Sequence, residues 1–143
     1  MKPCLADANI LFCLLLSEHE HHQPILRWFD HLPAGQLLLC RVVHLTLIRL
    51  LGNSAILGKR ALSASAAWTL IEELMEDERM EFAPEPALLA TVLPKLFRYP
   101  VPTNNLVGDA YLAAFSIAAQ LRLATLDHGF KQFKEVDLEL LVP

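Results

Sequence analysis

The sequence lacks several features that would define a function class. Its three cysteines (Cys4, Cys13 and Cys40) are odd in number and form no Cys-x-x-Cys pair, which argues against a zinc site or a disulfide framework. We expect them to be small buried residues in a reducing cytoplasm. No uninterrupted apolar stretch reaches the roughly 18 residues of a membrane helix, and no small-residue cleavage site follows the apolar N-terminal region. The sequence therefore predicts a cytoplasmic protein without a membrane segment.

Internal repeats and low-complexity linkers are also missing. A chain of 143 residues without such features predicts one domain over residues 1–143. Hydrophobic residues make up 54% of the chain, which is enough for a large core and excludes a disordered acidic tail.

Positive charge is scarce overall, because the chain has 12 lysines and arginines but 16 aspartates and glutamates, which gives a net charge of −4. Residues 72–81 hold six of these acids and a single arginine, so the rest of the chain is close to neutral. We expect this acidic run to be a solvated helix end. The net charge therefore does not exclude a nucleic-acid partner.

Short apolar runs alternate with helical patterns along the chain. Strands are predicted at residues 2–6, 36–40, 80–83, 122–126 and 138–142. Helices are predicted at residues 8–16, 24–31, 42–51, 63–77, 86–97 and 105–121, the last capped by Asn105, with one helical turn at 130–133. This alternation predicts an α/β fold of three layers, in which a short central parallel sheet is flanked by helices.

Four polar residues fall at the carboxyl ends of these strands, where open α/β sheets bind ligands. Asp7 and Asp127 follow the first and fourth strands, and His44 and Asp109 begin helices. Three carboxylates held together repel one another unless a proton or cation intervenes, and oxygen ligands favour Mg²⁺ or Mn²⁺. The chemistry indicated is metal-assisted attack of water on a phosphate. The alternative is that these aspartates only close strand ends and start a helix.

Four sequence blocks carry a family resemblance. Asp-Ala-Asn at 7–9, Gly-Asp-Ala-Tyr-Leu-Ala-Ala at 108–114 and Thr-Leu-Asp-His-Gly-Phe at 125–130 resemble the first, third and fourth motifs of PIN-domain ribonucleases. Residues 40–53 are similar to the second motif of VapC-type toxins. The resemblance implies a PIN-like fold, RNA cleavage that depends on Mg²⁺ or Mn²⁺, a small antitoxin partner and a homodimer. It also implies that Asp7, Asp109 and Asp127 hold the metal.

His44 departs from this family, whose second motif commonly carries a glutamate at that position. Loss of a negative charge should weaken cation binding, and an imidazole among carboxylates should have a raised pKa. We therefore hypothesise a pH-dependent site for one metal ion that prefers Mn²⁺. In this site His44 would ligate Mn²⁺ when neutral or contact a phosphate when charged. The alternative is a catalytically weak or inactive PIN-like module that binds RNA or protein. A structure-specific DNA nuclease is less expected, because a helical-arch insertion is absent.

Other residues support these hypotheses less directly. Asn9 and Thr125 are expected to orient the carboxylates or a metal-bound water. A basic group, expected to flank the same edge, could bind RNA phosphates or form a merely solvated face; it comprises Arg41, Arg49, Lys59 and Arg60.

Three further expectations concern packing. The tryptophans and Phe29 are expected in the core, and the histidine-rich turn at 19–22 is expected to be a solvated loop. The first two helices could leave a groove for an antitoxin helix.

Overall fold

The computed structural model describes residues 2–98 and 106–141, and a five-stranded sheet lies at its centre. The strands are β1 (Cys4–Ala6), β2 (Leu37–Leu39), β3 (Met80–Phe82), β4 (Arg122–Thr125) and β5 (Asp137–Leu140). They lie in the order β3-β2-β1-β4-β5, and every neighbouring pair is parallel. The register aligns Ala6 with Ala124 and Leu39 with Phe82, so the four strands β3, β2, β1 and β4 end along one edge. The prediction of a short parallel sheet is confirmed.

Helices flank this sheet, as the alternating pattern predicts. They are α1 (Ala8–Leu15), α2 (His22–Asp30), α3 (Arg41–Leu51), α4 (Ser54–Leu57), α5 (Ala64–Met75), α6 (Leu89–Leu96) and α7 (Leu106–Ala118), with 3-10 turns at Gly58–Arg60 and His128–Gln132. Helix α1 packs against α2 and α3, α5 packs against α3, and α7 packs against α6 and β4. Within the described residues, no helix is both long enough and apolar enough to span a bilayer.

Helix α4 and the 3-10 turn at Gly58–Arg60 have no counterpart in the sequence prediction. The predicted helix at residues 42–51 ends before Gly52 and Asn53, which are typical of a helix end, but Asn53 also starts α4, since its Oδ1 accepts a hydrogen bond from the Ala55 amide at 2.9 Å. A polar residue can close one helix and cap the next, and its chemistry does not distinguish the two roles. The predicted cap Asn105 lies outside the described residues, as does Val142 at the end of the last predicted strand.

The core consists of apolar side chains from the strands and from the inner faces of the helices. Leu5, Leu37 and Leu123 are each inaccessible to solvent at the centre of the sheet. All three cysteines are buried and unpaired, as expected, and burial raises the pKa of each thiol, that of Cys13 to about 11.

Two packing expectations are wrong. Trp68 does not lie in the core, because 41% of it is exposed on α5. The turn at 19–22 is not simply solvated, because His22 is buried and its Nδ1 lies 2.7 Å from the Cys13 carbonyl oxygen. Phe29 is buried, in agreement with its prediction.

Five of the six acids in the acidic run are exposed, as expected, and Asp77 is the partly buried exception. Arg79 forms ion pairs with Asp77 at 2.7 Å and with Asp30 at 3.0 Å, and its guanidinium carbon lies 3.9 Å from the ring centroid of Phe29. The hydrogen bond from Arg79 lowers the pKa of Asp77 to about 2. This network joins the end of α2 to the start of β3, at the edge of the sheet opposite to the strand ends described above.

Candidate active site

Asp7 is fixed at the point where β1 becomes α1. Its amide donates to the Ala124 carbonyl at 2.9 Å, which continues the pairing of β1 with β4. Its Oδ1 accepts a hydrogen bond from the Ala8 amide at 2.7 Å and thereby caps α1. The carboxylate is thus held at the carboxyl edge of the sheet by the backbone on both sides of it.

Thr125 connects the two aspartates that follow the central strands. It is inaccessible to solvent at the end of β4, and its Oγ1 donates to Asp7 Oδ2 at 2.7 Å. The same oxygen accepts from the Asp127 amide at 3.0 Å and from Asn9 Nδ2 at 3.4 Å. Asn9 Oδ1 accepts in turn from the Leu126 amide at 3.3 Å. The expected supporting residues therefore form one hydrogen-bonded set beneath the carboxylates.

Asp127 caps the 3-10 turn that follows β4. Its Oδ1 accepts from the Gly129 amide at 2.8 Å. A Cβ atom on Gly129 would lie 3.0 Å from that oxygen, which is closer than such contacts normally are. A side chain at residue 129 would therefore displace the Asp127 carboxylate by a few tenths of an ångström. Gly129 stands within the Thr-Leu-Asp-His-Gly-Phe block at 125–130, but the sequence alone does not reveal its contact with Asp127.

Asp109 completes the group from the first turn of α7. Its pKa is raised to about 6, first by burial and then by the charges of Asp127 and Asp7. The pKa of Asp7 is also raised, chiefly by burial, with a smaller contribution from Asp127 and opposition from the hydrogen bonds of Thr125 and Ala8. The three carboxylates thus lie within electrostatic reach of one another.

The chemistry of this donor set fits a hard divalent cation. Three carboxylates that destabilise one another's charge provide the oxygen ligands that Mg²⁺ and Mn²⁺ favour. In residues 2–98 and 106–141, however, no three His, Cys, Asp or Glu side chains are arranged as a metal site. Asp7 and Asp127 accept hydrogen bonds from local backbone and hydroxyl donors, and each of these carboxylate oxygens keeps a further lone pair that a cation could use.

His44 does not have the surroundings that the sequence predicts. Its pKa is lowered rather than raised, first by burial and then by the charge of Arg41, while Glu72 opposes them weakly. Arg41 Nη1 lies 2.8 Å from His44 Nδ1. The imidazole also stacks on Trp68, with ring centroids 4.4 Å apart. The prediction that His44 lies among carboxylates is therefore wrong, because its imidazole lies between the guanidinium of Arg41 and the indole of Trp68.

Of the four basic residues predicted to flank the edge, the structure places only Arg41 there. Arg49 lies in the last turn of α3, about 12 Å farther along the helix axis. Arg60 forms an ion pair with Glu18 beyond the far end of α1, and Lys59 is its neighbour in the same 3-10 turn. Three of the four thus lie toward the opposite end of the helices that leave the carboxyl edge.

A parallel α/β sheet that gathers aspartates from three separate segments at its carboxyl edge defines the class of this protein. The PIN domain family model matches residues 4–136, and the chain belongs to the PIN domain family. It is 34% identical to ribonuclease VapC41 of Mycobacterium tuberculosis over 142 residues, which cover 96% of this chain and 97% of that relative. The family resemblance found in the motifs is confirmed.

Solved structures show the same fold. One is VapC20 of Mycobacterium tuberculosis, described as a sarcin-ricin loop cleaving toxin, with a TM-score of 0.66 and 18% identity over 94% of this chain and 97% of that one. Another is DNA-bound VapBC from Salmonella typhimurium, with a TM-score of 0.68 and 14% identity over 97% of this chain and 98% of that one.

Proposed function

We propose that this chain is a metal-dependent endoribonuclease that acts in the cytoplasm as the toxin of a toxin–antitoxin pair. One observation carries the proposal: Asp7, Asp109 and Asp127 come from three segments of the chain and lie close enough that the charges of Asp127 and Asp7 add to burial in raising the pKa of Asp109. The name of the relative VapC41, a ribonuclease, supports the same activity.

The proposed mechanism assigns the metal, Mg²⁺ or Mn²⁺, to these three carboxylates. When bound, the cation would activate water and stabilise negative charge on the scissile phosphate. Asp7 and Asp127 are pre-oriented by hydrogen bonds, and Thr125 acts as the positioning residue between them. Asp109 holds a proton more readily than an ordinary aspartate and would release it as the cation binds.

An RNA cleavage assay with a matched pair of variants tests this proposal. Asp7→Asn should reduce cleavage by at least about 100-fold, since losing a metal ligand costs more than losing an outer-sphere partner. Asp137→Asn makes the same chemical change at the opposite end of the sheet, where an exposed Asp137 pairs with Lys2, and should retain activity. EDTA should abolish cleavage, and added Mn²⁺ or Mg²⁺ should restore it. Cleavage that continues in EDTA, or in Asp7→Asn, would contradict the proposal.

A second candidate function is an inactive module that binds RNA or protein. The observation that favours it is the pairing of His44 with Arg41, which leaves three carboxylates at the edge where the family motif commonly supplies a fourth acid. Titration of both metals separates the two functions. RNA binding without cleavage at any concentration of Mg²⁺ or Mn²⁺ would support the module and reject the enzyme.

The proposed toxin also has protein partners, namely a cognate antitoxin and a second copy of itself. The VapBC assembly from Salmonella typhimurium supports the former. A cavity of about 170 Å³ at the end of α1 offers a place for an antitoxin side chain; it is lined by Phe12, Leu16, Glu18, His19, Ile56, Leu57 and Arg60. Co-expression with the product of a short neighbouring open reading frame should give a stable complex and inhibit cleavage. Light scattering of the purified chain should give the mass of a dimer.

A further inference from the structure

A second group of side chains lies at the same edge of the sheet, beside the carboxylates. This aromatic–arginine cluster consists of Arg41, His44, Trp68 and Phe82. Arg41 and His44 begin α3 directly after β2, Phe82 ends β3, and Trp68 reaches them from α5. The Arg41 guanidinium carbon lies 4.8 Å from the ring centroid of Phe82 and 5.9 Å from that of Trp68. The cluster therefore holds its cation against two aromatic rings.

The hydrogen bond inside the cluster fixes the state of His44. A guanidinium can only donate, so the 2.8 Å contact makes His44 Nδ1 the acceptor and places the ring proton on Nε2. The imidazole is therefore neutral, and its lone pair is occupied by Arg41. It stacks on Trp68 with an interplanar angle of 33°. His44 thus acts as a positioning residue that holds Arg41 and Trp68 in place.

The same assignment leaves an unsatisfied donor. The Nε2 atom of His44 is buried and has no hydrogen-bond partner among the described residues. Buried polar groups in native proteins nearly always find a partner, so this one is unusual in a residue that only packs. The contacts inside the cluster therefore leave one buried hydrogen-bond donor, His44 Nε2, without an acceptor.

The outer part of the cluster is open to solvent. Trp68 and Phe82 are each 41% exposed, and Arg41 is exposed beside them. Exposed aromatic rings with an adjoining guanidinium form the platform on which proteins stack unpaired RNA bases. Glu72 lies one helical turn from Trp68, and its negative charge would repel the RNA phosphates. Base stacking, rather than charge attraction, would therefore supply most of the binding free energy.

The cluster is close enough to the carboxylates to bind the same RNA strand. Strands β3, β2 and β1 are neighbours in the sheet, and the ends of β3 and β1 are therefore roughly 10 Å apart. The charge of Asp7 also contributes to the raised pKa of Cys40, the residue before α3, although burial is the main cause. A phosphodiester held at the carboxylates would thus place a neighbouring base within reach of the rings.

We infer that Arg41, Trp68 and Phe82 form a subsite that stacks an unpaired base next to the phosphodiester to be cut. The inference rests on the proposed function only for the position of the cut. It predicts that the enzyme requires single-stranded RNA on the β3 side of its carboxylates. It also gives His44 a role in substrate binding instead of metal binding.

A binding experiment tests the subsite without cleavage. The probe is a short 2′-O-methyl oligoribonucleotide, compared with an abasic oligonucleotide of equal length and charge. In the Trp28→Phe variant, Trp68 is the remaining tryptophan, and the base-bearing probe should quench its fluorescence. The abasic probe should quench it much less and should bind about tenfold more weakly. Equal binding and equal quenching by both probes would overturn the inference.

Variants at Trp68 separate stacking from folding. Trp68→Phe keeps an aromatic ring and should bind the labelled probe nearly as well as the unmodified chain. Trp68→Leu keeps apolar bulk and should bind about tenfold more weakly by fluorescence anisotropy. Trp28→Leu makes the same change on α2 and should not alter binding, provided that circular dichroism shows all variants folded. Unaltered affinity in Trp68→Leu would reject the subsite.

Cleavage kinetics distinguish this inference from the proposed function. Trp68→Leu should raise KM about tenfold and leave kcat nearly unchanged, since the subsite binds RNA away from the reacting atoms. If the unmodified chain cleaves no RNA but the base-dependent quenching persists, the enzyme proposal fails and the subsite stands. If cleavage occurs and Trp68→Leu has unaltered KM, the subsite fails and the enzyme proposal stands.

Discussion

The hydroxyl of Thr125 allows a sharp test of how the candidate site is held together. Thr125→Val replaces this hydroxyl by a methyl group of nearly equal size at a position that is inaccessible to solvent. The change removes the donor to Asp7 Oδ2 at 2.7 Å and the acceptor of the Asp127 amide at 3.0 Å. Thr125→Ser is the matched control, because it deletes only the methyl group and keeps both hydrogen bonds.

The expected cost follows from these two bonds. A hydrogen bond to a charged group contributes about 1.5–3 kcal/mol, and leaving a buried donor unpaired costs about 1–3 kcal/mol. Because Asp7 and Asp127 are partly open to solvent, we expect the free energy of unfolding to fall by about 2 kcal/mol. For a chain of this size that lowers Tm by about 4–8 °C.

The effect should depend on pH with a definite sign. The hydrogen bond from Thr125 lowers the pKa of Asp7 and opposes the burial that raises it. Without that bond the pKa of Asp7 in the folded chain rises further. The ionised Asp7 therefore costs more stability at every pH above 3.8, which is its pKa in the unfolded chain. The deficit of Thr125→Val relative to the unmodified chain should therefore be largest near neutral pH and shrink below pH 3.8.

Two assays check this reasoning. Thermal unfolding in EDTA from pH 3 to pH 8 gives the stability difference, and single-turnover RNA cleavage gives the effect on activity. We expect cleavage by Thr125→Val to fall by about 10–100-fold and that by Thr125→Ser to stay within about threefold. If both variants lose activity equally, or if the stability deficit of Thr125→Val is the same at pH 3 and pH 7, the Thr125 hydroxyl does not position the two aspartates.

Three further predictions address the residues around this centre. Gly129→Ala should lower cleavage at least tenfold by pressing on the carboxylate two residues before it, whereas Gly108→Ala, whose Cβ would meet no atom within 4 Å, should leave cleavage unaltered. Asp109→Asn should stabilise the metal-free chain by about 1–2 kcal/mol at pH 7.5, because the raised pKa of Asp109, about 6, means that the carboxylate costs stability as pH rises from 3.8 through 6. Thermal unfolding in EDTA should show this gain and its disappearance below pH 3.8. Arg79→Met should lower the free energy of unfolding by about 1–3 kcal/mol without changing cleavage. Because Arg79 lowers the pKa of Asp77 to about 2, urea titration should show the full loss of stability above pH 4 and a smaller loss toward pH 2.

Much of the fold could be predicted from local sequence. The apolar runs around Leu5, Leu38 and Leu123 are too short for core helices and alternate with helical segments, and that pattern requires parallel strands with crossover connections. The start of the helix predicted at residue 63 was also correct, since Ser63 caps α5 and its Oγ accepts a hydrogen bond from the Ala66 amide. Helix α4 escaped prediction because four residues are too few for a periodic pattern to emerge.

The positions of the aspartates could also be predicted from the sequence. Asp7 directly follows β1 and Asp127 lies two residues after the end of β4, and strand ends align in a parallel sheet whatever the identity of the side chains. Asn9 and Thr125 were predicted to support these carboxylates, but which atoms pair could not be predicted, because the bond between Thr125 and Asp7 joins residues 118 positions apart. Such a contact depends on register, and register is a property of the assembled sheet.

The sequence by itself determined the α/β class, the parallel sheet and the carboxyl edge at which Asp7, Asp109 and Asp127 meet, because those follow from periodicity and chain direction. Only the tertiary structure decided the environment of His44. From its position near the strand ends, an imidazole among acids with a raised pKa was the natural prediction. In the folded chain α5 brings Trp68 against its ring and Arg41 occupies its Nδ1, so the pKa is lowered instead. The sign of a pKa shift depends on which charges and rings lie within a few ångströms, and separate elements meet at that distance only after folding.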